Sequence, residues 1–313
     1  MNFIKKNIIF AFFLLTFLLL FQNVLAANLY LDSADNNVVL NNAFAIEVRL
    51  NLDQETSINA VDAYLNYPAD LLQVVDISFG NSILNIIPQQ PIIDAQAGTI
   101  HFGGGITSGY TGKIPGDPGL SNLLTTVIFK EIKKPTNSPS FQIALDTKSA
   151  VFLNDGKGTL ASLTLTNLTL NTAESSNNLS NEWQQILAQD TIAPESFSII
   201  LSRDPSIYNN QYFITFNTTD KQSGIDYYQI KEGAIAWTKV DSPYLLKNQS
   251  LPSIILVKAV DKAGNERIAE YIPAKIKTTN VVLSIILILM ILFLMAIANY
   301  FIIKSFKAAK ILK

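Results

Sequence analysis

"VDAYLNYPADLLQVVDI", residues 61–77, carries the pattern that decides the fold. Seven residues alternate, a Tyr67-Pro68 corner interrupts them, and a second apolar run begins at Leu71. Alternation with a period of two turns one side of the chain to a dry surface and the other to water, as a strand requires. The pattern recurs. In "AFAIEVRLNL" (43–52), Phe44, Ile46, Val48 and Leu50 point one way, while Glu47, Arg49 and Asn51 point the other. "NLYLDS" (28–33), "TIHFGGGI" (99–106), "LLTTVIFKEI" (123–132), "SFQIALDTKSAVFL" (140–153) and "LASLTLTNLTLN" (160–171) are rich in β-branched and aromatic residues. About eight short strands separated by turn residues predict an all-β sandwich.

A polar stretch, "NTAESSNNLSNEW" (171–183), then breaks the pattern and reads as a linker. "SNEWQQILAQD" predicts a short helix inside it, with Ser180 as N-cap and Trp183, Ile186 and Leu187 on one face. Beyond it, "QYFITFNTTD" (211–220), "IDYYQIKEG" (225–233), "SIILVKAVDKAGN" (253–265) and their neighbours predict about seven more strands, a number that suits an immunoglobulin-like sandwich. The expected organisation is a domain over 27–172, a linker over 173–189 and a second domain over 190–275.

Both ends are apolar. "MNFIKKNIIFAFFLLTFLLLFQNVLA" has a basic start at Lys5 and Lys6, a short apolar run and a cleavage-like Val24-Leu25-Ala26. These are the marks of a secretory signal peptide over 1–26. Residues 281–303 contain no charge. At about 1.5 Å per residue they are long enough to cross a hydrocarbon layer of roughly 30 Å, so a single transmembrane helix is expected over 279–303. Lys304, Lys307, Lys310 and Lys313 follow without an acid, as a cytoplasmic tail over 304–313 would. The expected location is the cell membrane, single-pass, with both domains outside.

Chemistry is sparse. The chain has no cysteine and one histidine, and its net charge is −2. An exported chain of this kind holds its domains by burial alone, and it offers no basic field to nucleic acid. His101 alternates with Ile100 and Phe102, which makes it a strand residue; alone it builds neither a zinc site nor a catalytic triad. No metal site is assigned, and no cofactor is expected beyond weak calcium binding by Asp220, Asp241 or Asp261. "HFGGGITSGYTGKIPGDPG" (101–119) is the most unusual loop. Its glycines suit a backbone crossing at a sheet edge, followed by a surface loop. Alternatively the loop binds a ligand, with Tyr110 as a rim aromatic and Asp117 beside it; Tyr64 is a further ligand-binding candidate.

Tyr67-Pro68-Ala69-Asp70-Leu71-Leu72, followed by Val75 and Gly80, resembles the cohesin family, in which a strand, a Tyr-Asp-Pro-like turn, a Leu-x-Val strand and a Gly occur in this order. Here Tyr67 directly precedes Pro68, so the usual Asp is missing. "GTIHFGGGI", "LLTTVIFKEIKK" and "FQIALDTKSAVFLNDGKGT" are similar to the family's later strands. The resemblance spans residues 28–172 and rests on order and spacing. It implies a jelly-roll β-sandwich, shared with certain carbohydrate-binding modules. One flat sheet face would bind a dockerin partner, or exposed aromatics would bind polysaccharide. "TKVDSPYLL" with "ILVKAVDKAGNER" resembles bacterial Ig-like, fibronectin III-like modules of surface proteins.

The expected function is therefore that of a non-catalytic, membrane-anchored surface protein. It would display a cohesin-like domain for carbohydrate or dockerin-like protein binding, in adhesion or in polysaccharide-degrading assemblies. A self-associating envelope protein, pairing by sheet edges, is the alternative.

Overall fold

The computed structural model describes residues 26–53, 56–112, 121–136, 138–173, 181–273 and 284–298. They fall into two units: positions up to 194 together with 218–225 and 261–265, and positions 195–217, 226–260 and 266 onward.

The first unit is built from β1 (Ala26–Asp32), β2 (Asn37–Val39), β3 (Ala43–Leu52), β4 (Ile58–Asn66), β5 (Leu72–Ser78), β6 (Ile92–Asp94), β7 (Thr99–Tyr110), β8 (Leu123–Glu131), β9 (Ser140–Leu145), β10 (Ala150–Leu153), β11 (Ser162–Thr166) and β12 (Leu168–Ala173). One sheet runs β11-β1-β3-β8-β5; the other runs β2-β12-β9-β4-β7-β6, with β10 also paired to β4. Their inner faces share one core, to which β1, β3 and β8 contribute Leu29, Ile46 and Phe129, and β4, β7 and β9 contribute Leu65, Ile100 and Ile143. The all-β class expected from the alternation is the class observed.

The stretch at 61–77 does more than supply strands. β4 and β5 lie in different sheets, so the Tyr67-Pro68 corner carries the chain from one to the other. The Tyr67 N–H donates to the Gly98 carbonyl at 2.8 Å, and the Pro68 carbonyl accepts from Leu71 and Leu72 at 3.0 and 2.9 Å. The Tyr67 ring is buried and tilted against Phe129 of β8, with centroids 5.2 Å apart. Phe129 in turn stacks on Phe44 of β3 at 6.0 Å.

The structure departs from the sequence pattern in three places. Arg49, expected on the wet face of β3, is buried. Its guanidinium donates to Asn122 Oδ1 at 2.7 Å and meets Glu47 at 2.7 Å, while the Asn122 amide reaches Tyr30 and Asn51. A buried guanidinium is tolerable because its donors are satisfied. The run 140–153 is broken at Asp146, whose side chain accepts from the Lys148 N–H and whose carbonyl accepts from the Ser149 N–H. Such an Asx turn offers the backbone an alternative to the ladder. The run 160–171 is broken at Asn167 and is divided between the two sheets.

α1 (Glu182–Gln189) follows, capped by Asn181, whose Oδ1 accepts from the Gln184 N–H at 3.3 Å; Ser180 lies outside the described residues. Trp183 and Leu187 pack on Ala43 and Ile128, while Ile186 is exposed.

The second unit draws on β13 (Ile200–Asp204), β14 (Ile207–Thr215), β15 (Ile225–Glu232), β16 (Thr238–Val240), β17 (Tyr244–Leu245), β18 (Ile255–Asp261) and β19 (Glu266–Tyr271). The sheets are β13-β14-β17 and β16-β15-β18-β19. Ile214, Phe216, Ile230 and Val257 form the centre of its core.

Of the expected span at 279–303, residues 284–298 are described and helical, with every large apolar side chain from Ile285 to Ile297 exposed. Among the described residues no helix is long and apolar enough to cross a membrane. The tail 304–313, Asp117 and residues 1–25 of the expected signal peptide lie outside the described residues.

Two outcomes are expected. Phe129→Ala deletes a fully buried ring and costs about 3–5 kcal/mol, read as a lower urea midpoint of the first unit. The second concerns Glu131. It is buried; its Oε1 accepts from the Thr172 hydroxyl at 2.5 Å, and among the described residues its Oε2 has no hydrogen-bond partner. Burial pushes its carboxyl above the ordinary value, against the opposing pull of Thr172 and Lys134. A carboxyl whose folded pKa is raised costs stability as pH rises from the unfolded value through the folded one. Glu131→Gln removes that loss, so the change in denaturation midpoint from about pH 5 to about pH 8 is more positive in the variant than in the natural chain. The same pH dependence in both chains would refute this account.

Candidate functional site

The outer face of the second sheet is set by strict alternation. Val61, Ala63 and Leu65 of β4 and Ile100 and Phe102 of β7 point into the core, which turns Asp62, Tyr64, Asn66, Thr99 and His101 outward. Register then decides which of them meet. Tyr64 lies opposite His101, and His101 lies opposite Ile92 of β6, so one rung crosses three strands. The Tyr64 and His101 rings stack with centroids 4.1 Å apart and planes 5° from parallel. The His101 Nε2–H donates to Asp62 Oδ1 at 2.5 Å. Their side chains remain 33% and 38% exposed, so the pair faces solvent.

Gly103 stands on the same strand face as this contact. It lies opposite Asp62 in the ladder, and a Cβ there would stand 3.4 Å from Asp62 Oδ1 and 3.3 Å from the Val61 carbonyl. Its neighbour Gly104 serves the other side of the sheet. A Cβ on Gly104 would press against Leu84, Ile86 and Ile87, and Gly105 exchanges backbone hydrogen bonds with Ile86. Gly104 and Gly105 therefore let a second stretch of backbone cross β7, one of the two readings of this loop from the sequence. That stretch continues over Pro88, Gln89 and Gln90, which together with Asp62, His101 and Ile92 line a shallow cavity of about 170 Å³.

The binding candidates separate. Tyr64 stands on this face. Tyr110 does not stand clear at a rim: it ends β7 opposite Ile58 and packs against the core. Asp117 lies outside the described residues. His101, read from the sequence as an ordinary strand residue, is the centre of the cluster. Alternation shows that Asp62, Tyr64 and His101 face outward, but only the register across residues 62–103 shows that they touch.

The calcium candidates separate as well. Asp220 and Asp261 come together within the first unit, joined by Asp190, while Asp241 is exposed and apart. One oxygen from each of the three lies within 4.8 Å of the others. All three are buried, at 5%, 3% and 1% exposure for Asp190, Asp220 and Asp261. Desolvation pushes the Asp220 carboxyl up, and the charges of Asp190 and Asp261 add to the rise. Asp190 has no sequence signal that ties it to the other two. Asp220 and Asp261 open two similar turns, "DKQSG" and "DKAGN".

No protein-family model matches the chain, and no curated protein does. Solved structures similar to it are cohesin modules. One, from a family 33 glycoside hydrolase of Clostridium perfringens, is 15% identical, covers 48% of this chain and 99% of its own length, and has a TM-score of 0.38. The seventh ScaB type I cohesin of Pseudobacteroides cellulosolvens is 19% identical over 48% and 94%, with a TM-score of 0.37. A non-cellulosomal cohesin of the archaeon Archaeoglobus fulgidus is 17% identical over 49% and 94%, with a TM-score of 0.34. Each of these similarities covers about half of this chain.

The half-exposed His101–Asp62 pair contributes little to folding, since such pairs are worth about 0–1 kcal/mol. His101→Ala and Asp62→Asn are therefore expected to leave the urea midpoint almost unchanged. A loss of several kcal/mol would mean that the pair is structural.

Proposed function

We propose that the protein is a non-catalytic binding protein of the cell surface and that the outer face of β4, β7 and β6 receives a partner protein. The observation that carries this is the composition of the face. One tyrosine is already stacked on a histidine, and around it stand Asp62, Asn66, Thr99 and Ile92. Sugar recognition favours free aromatic platforms, whereas a protein contact uses an amphipathic ring ringed by polar groups and one apolar anchor. The cohesin resemblance over residues 28–172 supports the same reading and makes a dockerin-like module the expected kind of partner.

In this reading the second unit, with its two small sheets and its resemblance to bacterial Ig-like modules, is a spacer. The uncharged run at 281–303, whose residues 284–298 are helical and apolar from Ile285 on, anchors the chain, with the lysines of 304–313 on the inner side. The apolar stretch before Ala26 directs export.

The test compares the full chain in detergent with its Asp62→Arg and Tyr64→Ala variants. Each is used to capture proteins from an envelope extract of the source organism and is also applied to a glycan array. A protein captured by the natural chain and lost by at least tenfold with Asp62→Arg supports the reading. Glycan binding that disappears in Tyr64→Ala, with no such protein captured, would replace it with the polysaccharide reading. For the anchor, a chain ending at residue 279 is expected to leave the membrane fraction.

A further inference from the structure

We propose that Asp190, Asp220 and Asp261 form a binding site for a single divalent cation, Ca²⁺, with the Ser223 hydroxyl as an additional oxygen donor. The inference is independent of the partner-binding face.

Charge is the first consideration. Three carboxylates share a water-poor pocket, and among the described residues no lysine, arginine or histidine pairs with any of them. Lys262, beside Asp261 in the chain, gives its ammonium to Asp76 at 2.6 Å. Buried like charges without a counter-ion are costly, and a cation placed among them removes that cost.

Ser223 points to a ligand separately from the carboxylates. It is fully buried, and among the described residues its hydroxyl oxygen has no hydrogen-bond partner. Its own N–H bridges two of the three acids, donating to Asp190 Oδ2 at 3.1 Å and to Asp220 Oδ1 at 2.9 Å. A buried hydroxyl ordinarily finds a partner. This one belongs to the residue wedged against the carboxylates, and a bound cation would satisfy it. Asp220 adds a further free position: its Oδ1 takes the N–H groups of Gln222, Ser223 and Gly224, and its Oδ2 takes no hydrogen bond from any described residue.

The donor set selects the ion. Carboxylate and hydroxyl oxygens suit a hard cation. Two ligands of one Ca²⁺ can lie at most about 4.6–5.2 Å apart, twice the metal–oxygen distance. The three carboxylates lie within 4.8 Å of one another and so fit a shared ion. No Cys stands in the chain and the lone His101 is held by Asp62, so the softer ligands that Zn²⁺ favours are missing here.

The test is calorimetric titration of Ca²⁺ into EDTA-stripped full chain in detergent, with thermal melts in EDTA and in Ca²⁺. The expected result is one ion per chain, a dissociation constant on the order of 10⁻⁵–10⁻³ M, and a melting temperature that rises with Ca²⁺. Asp220→Asn is expected to weaken binding at least tenfold and to abolish the Ca²⁺-dependent rise. Ser223→Ala is expected to weaken binding by a smaller factor. Should Asp220→Asn fold poorly in EDTA, Asp261→Asn serves in its place. A natural chain whose melt and heat are indifferent to Ca²⁺, or that responds equally to Mg²⁺ in place of Ca²⁺, overturns the proposal, as does a full response in Asp220→Asn.

Discussion

Tyr67 on Phe129 is the contact on which the first unit depends. β4 belongs to one sheet and β5 to the other, and the chain passes between them in the five residues from Tyr67 to Leu71. A passage that short works only if its own polar groups are satisfied and its side chain enters the shared core. Gly98 accepts the Tyr67 N–H, Pro68 needs no donor partner, and its carbonyl accepts from both Leu71 and Leu72. The ring then fills the space beside Phe129, which links the corner to β8 and, through Phe44, to β3. With no disulfide in the chain, burial of this kind is what holds the two sheets together.

Polar groups inside the first unit show how far each is compensated. Arg49 is surrounded by acceptors and by the Asn122 amide, which makes its burial tolerable. Glu131 is compensated at one oxygen only. The three aspartates at 190, 220 and 261 have N–H donors, but among the described residues no lysine, arginine or histidine pairs with them. Hydrogen bonds orient a carboxylate without neutralising it, so the remaining negative charge is available to an ion.

The sandwich strands were legible because their period is two and one face is dry. "AFAIEVRLNL" and "INAVDAYLNY" could hardly fold otherwise. Breaks within long runs were less legible: Asp146 and Asn167 interrupt strands through side-chain hydrogen bonds, a competition that polarity patterns do not register. Arg49 was misplaced for a related reason, since alternation assigns faces by hydrophobicity and a satisfied guanidinium can defy it. The functional face was legible residue by residue but not as a cluster, and Asp190 was invisible beside Asp220 and Asp261.

By itself, then, the sequence determined the all-β class, most of the inward and outward sets along the strands and the apolar character of both ends. These follow from local rules: side-chain period, turn chemistry and hydropathy act within a few residues. Only the tertiary structure decided that Tyr64, His101 and Asp62 meet on one face and that aspartates at 190, 220 and 261 share one pocket. Such meetings depend on strand register and on which loops close together, and both are set by the packing of the whole core.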